Sequence, residues 1–151
     1  MDHYTNCNLK PTEVTESFWL SEYNEVIASN STFPDGKWMQ FYDSSELDRM
    51  WEKAKDKYRA GHLIGIHSMK VSTARPQSRA SNSSQGVIIF YCGPANNESI
   101  IMHIGEKLLQ EMPYKSSSGH MSYKSDEQTS AGTRATGQIR NHLYRIRCGE
   151  I

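Results

Sequence analysis

A chain of 151 residues, 36% hydrophobic and 23% charged, can bury about two thirds of its unfolded surface around one core, so the simplest reading is a single domain over 1–151. No apolar run reaches the ~20 residues of a membrane span, and the start MDHYTNCNLKPTE lacks the basic and apolar segments of a secretory signal. The expectation is a soluble cytoplasmic protein, with the nucleus as the other compartment open to it.

The formal net charge of zero conceals a gradient, because residues 1–64 hold 7 basic and 11 acidic side chains whereas residues 115–151 hold 6 and 3. Such an asymmetry can line an anion site but is too small for bulk nucleic-acid binding. Cys7, Cys92 and Cys148 are odd in number and lack CxxC spacing, which argues against a disulfide framework and a structural zinc site.

In chain order, residues 1–10 read as frayed. Pro11 to Ala28 carries Val14, Phe18, Trp19, Tyr23, Val26 and Ile27, a pattern that predicts a helix capped at Thr12 or Thr15. NSTFPDG at 30–36 is turn chemistry. Lys37 to Tyr42 predicts a strand with Lys37, Met39 and Phe41 on one face and Trp38, Gln40 and Tyr42 on the other. Asp43 and Glu46 then form a capping box. Leu47, Met50, Trp51, Ala54 and Tyr58 make the apolar stripe of a helix that ends at a left-handed cap on Gly61.

Ile64 to Thr73 predicts a strand whose polar face projects Lys70. Residues 74–85, ARPQSRASNSSQ, read as a mobile low-complexity loop with Arg75 and Arg79. Gly86 to Cys92 is the most hydrophobic run and fits a central strand. Asn96 or Asn97 caps a second helix through Glu111, with Ile100, Ile101, Ile104 and Leu108 as its stripe and Pro113 as its stop. Strands at His120 to Ser125 and Asn141 to Arg147 flank a Thr/Gly-rich turn region at 126–137. This order predicts an α+β fold, a sheet with helices on one face.

With that order laid out, the chain resembles the cap-binding translation initiation factor 4E family, and looks closer still to the basophilic-leukemia-expressed protein family that shares its fold. The resemblance covers Asp35 to Ile146 and is carried by KWMQFYDSSELDRMW, MKVST at 69–73, GVIIFY, HIGEKL at 103–108 and YKSDEQTSAGT at 123–133. It implies a curved antiparallel sheet backed by helices, whose concave side binds a ligand in the cap-binding members. Those members hold methylguanine between two tryptophans, because a flat cationic base stacks well between π-faces. This chain has no tryptophan after Trp51, and the matching loops offer only His62, His67, Tyr91 or residues of 74–85. In that family the basic residues that meet the cap triphosphate lie in the segment matched here by Lys70 to Arg79. The resemblance also implies that an exposed Trp51 would mark a groove for a helical partner peptide.

The candidate site is therefore Lys70, Arg75, Arg79, Lys124 and Arg134, groups suited to phosphate, with solvated strand-edge charges as the alternative. Tyr123, Asp126, Thr129 and Thr133 are candidates to shape a nucleotide pocket, although Asp126 and Thr129 equally suit a tight turn. The six histidines lack HxH or HExxH spacing, and there is no P-loop or nucleophile elbow. No catalytic residue, cofactor or metal is expected. The expected function is recognition of a nucleotide or RNA end without turnover. The alternatives are a protein-interaction module using the helix 43–60 and a small phosphodiesterase using His67 and His120 as acid and base.

Overall fold

The computed structural model describes residues 9–76, 84–127 and 142–151. Six antiparallel strands form the main sheet in the order β1-β3-β4-β2-β6-β7. These are β1 (Trp19–Tyr23), β2 (Gly36–Asp43), β3 (Ser68–Ser72), β4 (Gln85–Cys92), β6 (His120–Ser125) and β7 (Tyr144–Arg147). A two-stranded parallel sheet pairs β5 (Lys115–Ser116) with β8 (Gly149–Glu150). The helices are α1 (Glu25–Ser29), α2 (Ser44–Arg59) and α3 (Glu98–Glu111).

Alternation along β2 decides which face the helices cover. Trp38 and Gln40 are fully buried; the Trp38 indole N–H donates to the Ile101 carbonyl of α3 at 3.3 Å, and the Gln40 amide donates to the Met112 carbonyl at 3.1 Å. Register carries that face across the sheet, since Trp38 lies opposite Phe90 and Tyr123, and Met69 opposite Phe90. All are buried, together with Val71, Ile88 and Met121. On α2 the buried stripe is Leu47, Met50, Trp51, Ala54, Lys55 and Tyr58. It is the predicted stripe with one addition, Lys55, whose ammonium meets Glu52 at 2.7 Å.

The helix ends are set differently from one another. At the C-terminus Gly61 takes φ 78°, and the bonds Gly61 N to Tyr58 O (3.0 Å) and His62 N to Lys57 O (2.9 Å) complete a Schellman motif. The expected capping box at the N-terminus does not form. Asp43 makes no side-chain cap bond, Glu46 turns to Arg49 at 2.9 Å, and the Ser44 N–H donates instead to the Ser84 carbonyl at 2.8 Å. Asn97 does cap α3, accepting from Ile100 N at 3.2 Å, and Ile100 of the expected stripe is exposed.

The expected helix over Pro11 to Ala28 is replaced by a 3-10 turn at Pro11–Glu13, the strand β1 and the five-residue α1 capped by Asn24. Pairing decides the outcome: β1 docks on β3, with Leu20 opposite Val71 and Glu22 opposite Met69. Glu22 is 2% exposed yet paired, because Arg59 of α2 donates to both carboxylate oxygens at 2.7 and 2.9 Å. An apparently polar residue is therefore an inward one, and Phe18 and Tyr23 of the supposed stripe stand exposed.

Candidate functional site

The face of the sheet turned away from α2 and α3 carries the charge. On β2 it presents Lys37, Met39 and Phe41. Directly opposite lie Tyr91, Ile89 and Val87 on β4, and Lys124 and Ser122 on β6. One strand further out, β3 adds Ser68 beside Tyr91 and Lys70 beside Ile89. β7 adds Arg145 opposite Ser122 and Arg147 opposite His120. Residues opposite each other on one face have Cβ atoms about 5 Å apart, so Lys37 and Lys124 are immediate neighbours of like charge.

Three lysines from three strands thus share one end of this open face. The Lys70 ammonium stands 4.2 Å from the centre of the Trp19 ring and 5.6 Å from that of Tyr91, held between two π-faces. Lys37 reaches Asp126 at 3.5 Å. Burial pulls the Lys37 pKa below the ordinary lysine value; Asp126 pushes it back up, and Lys70 and Lys124 depress it further. Burial likewise lowers Lys70, again opposed by Asp126. Burial raises the Tyr91 hydroxyl to about 12, with Asp126 adding to the rise, so it remains a neutral donor. The arrangement is a partly desolvated cluster of cations and donors beside Asp126. A bound anion would relieve its repulsion.

Of the residues expected from the sequence, Lys70, Lys124 and Asp126 lie in this cluster. Arg75 does not. It sits beyond the far end of β3, with its guanidinium 4.5 Å from the Phe18 ring centre and Nη1 donating to the Glu16 carbonyl at 3.1 Å. Arg79, Thr129, Thr133 and Arg134 fall outside the described residues. Tyr123 is not a pocket residue: it faces the helices, is fully buried, and donates to the Cys92 carbonyl at 2.8 Å. Trp51, 2% exposed, belongs to the core and does not present its ring to a partner.

His67 and His120 are not an acid–base pair. The His67 N–H bonds the Tyr91 carbonyl, level with Lys37 and Lys124, whereas His120 lies four residues further along β6 and across β4 and β2. The two are roughly 19 Å apart at ordinary strand spacings. Each is engaged locally, His67 Nδ1 with Ser68 Oγ at 2.9 Å and His120 Nδ1 with the Ser118 carbonyl at 3.1 Å. Among the described residues no group of three or more His, Cys, Asp or Glu side chains could hold a metal ion.

Sequence reasoning missed Lys37, Trp19 and Tyr91 as a set. Alternation placed Lys37 on the right face, but only the pairing of 36–39 with 122–125 sets it against Lys124.

Six antiparallel strands, helices on one face and a lysine-bearing open face define an α+β protein of the initiation-factor-4E-like fold. Solved structures of that class match the chain. A schistosome eIF4E, crystallised with m7GpppA and 4E-BP, superposes with TM-score 0.65 at 16% identity, covering 94% of this chain and 77% of that one. The C. elegans eIF4E-3 in complex with the 4E-binding protein Mextli gives TM-score 0.50 at 13% identity, covering 74% and 57%. At such identities the likeness carries the fold alone. No family model and no curated protein sequence matches the chain.

Proposed function

We propose that this protein recognises the phosphates of a nucleotide or RNA end on its open face, through Lys37, Lys70 and Lys124, and does so without turnover. The observation that carries the reading is the convergence of these lysines from β2, β3 and β6, two of them directly opposed. Like charges so placed are destabilising, and a polyanion turns that cost into binding energy. Arg79 and Arg134, candidates from the sequence that lie outside the described residues, stay part of the proposal. The neighbouring fold whose structure holds m7GpppA makes a nucleotide the natural first ligand, and the lack of tryptophan beyond Trp51 argues for phosphate contacts over a tryptophan sandwich. The kinship with the basophilic-leukemia-expressed family belongs to the same reading.

Calorimetric titration with GTP, methylguanosine triphosphate and a 5′-triphosphorylated RNA is the test. Saturable binding that weakens with salt is expected, with a shallower salt slope in Lys70→Ala and Lys124→Ala. Absence of saturable binding, or indifference to both substitutions, overturns the reading.

A protein partner is the second reading, favoured by the two solved neighbours, each in complex with a 4E-binding protein. With its stripe buried, α2 offers such a partner a charged outward face that includes Glu52, Asp56 and Arg59.

A further inference from the structure

A cavity of about 390 Å³ opens on the same face as the lysines, at the opposite end of β2 and β6. Its origin is a parting of strands. The β2–β6 pairing ends at Met39 opposite Ser122, although β2 runs on to Asp43 and β6 begins at His120. Beyond that point the Phe41 N–H donates to the Tyr114 hydroxyl at 3.0 Å in place of a strand partner. Met39 and Phe41 form an apolar side of the cleft, and Ser117, His120 and Ser122 line it with polar groups.

Phe41 is 46% exposed in the interior of a strand. The other aromatic rings of this face near the lysines already have partners, Trp19 and Tyr91 the Lys70 ammonium and Tyr23 the His67 ring at 5.8 Å. Among the described residues Phe41 therefore offers the uncommitted ring of this face. Arg145 and Arg147 on β7 project beside Ser122 and His120, so cationic groups continue from the lysines to the cleft. The distance from Lys37 to Phe41 is about 13 Å along the strand. A positively charged track with an aromatic platform is what a single-stranded nucleic acid needs, its phosphates on the cations and its bases on the rings.

We propose that the cleft between β2 and β6 seats a base of single-stranded RNA, stacked on Phe41, when the phosphorylated end of that strand lies on Lys37, Lys70 and Lys124. The inference rests on the phosphate-binding reading and extends it from a mononucleotide to a strand.

The test compares GTP with the trinucleotide pppGpApA by calorimetry. The wild-type protein binds the trinucleotide at least about fivefold more tightly, the weight of one base–aromatic stack. Phe41→Ala removes that gain and leaves GTP affinity as it was, whereas Phe41→Tyr retains it. The comparison of ligands on the wild-type protein needs no variant, and Phe41 is exposed enough for its truncation to leave the fold intact. If GTP binds in a Lys70-dependent manner with no gain from chain length, or if Phe41→Ala keeps the gain, the cleft assignment alone is wrong. If neither ligand binds, the phosphate-binding reading falls and takes this inference with it.

Discussion

On β2, Trp38 and Gln40 point toward the helices while Lys37, Met39 and Phe41 point away. The inward set is saturated: the indole and the amide each donate to a backbone carbonyl, and the Trp38 ring meets Tyr123 edge-on at 5.4 Å. On the outward set like charges face each other and a phenylalanine stands open to solvent. One strand thus supplies stability from alternate residues and leaves the rest for binding. Any substitution on it can be sorted by face.

Breaking the inward face should have the largest effect. Trp38→Ala is expected to cost about 3–5 kcal/mol in urea denaturation, a large share of the roughly 5–15 kcal/mol a domain has. Gly105→Ala should follow at about 1–3 kcal/mol, since a Cβ there would stand 2.5 Å from Trp38 Cζ2. Tyr123→Phe removes the hydrogen bond to the Cys92 carbonyl and should cost about 0.5–1.5 kcal/mol while leaving nucleotide affinity unchanged. Altered affinity in that variant would return Tyr123 to the pocket.

The outward face should give the reverse pattern. Lys70→Ala with Lys124→Ala is expected to move stability by no more than about 1 kcal/mol, the lost cation–π contacts of Lys70 being offset by relief of the Lys37–Lys124 repulsion, and to weaken triphosphate binding by roughly tenfold or more.

The smallest effect is on pH dependence. Because burial holds Lys37 and Lys70 below the ordinary lysine value of 10.5, their charge is lost earlier on the alkaline side than that of a free lysine. Triphosphate affinity should therefore fall as pH rises toward 10.5. Stability should move the opposite way, since a pKa depressed by folding penalises the native state below the folded pKa and releases it as pH rises past that value. Affinity that holds level to pH 10.5 would show that these lysines are not the ligand's partners.

Much of the fold was legible in local pattern. The α2 stripe, the Gly61 cap, a cap at Asn96 or Asn97 and the strands β3, β4 and β6 follow from spacing and turn chemistry alone. The N-terminal segment was not, because its inward Glu22 is explicable only by Arg59, 37 residues away. Both faces of β2 carry aromatics in the sequence, so which one was dry depended on helices that alternation cannot place. The site was legible as residue types and not as a set: Lys70 and Lys124 stand out as cations, but their neighbour Lys37 becomes one only through register. Arg75, an equally good cation on paper, is diverted by Phe18 and a backbone carbonyl.

β2 pairs with β4 on one side and β6 on the other, and so is the seam at which the segment running to residue 92 meets the strands that come last in the chain. The cation cluster straddles that seam, with Lys70 on the early side and Lys124 on the late one. A ligand spanning them would act as a clasp across that seam, and by mass action would favour the closed sheet. Amide hydrogen exchange should register this as slower exchange along β6 and β7 in saturating triphosphate, with β3 and β4 little altered. The ligand would then fasten together the two parts of the chain that form its own site.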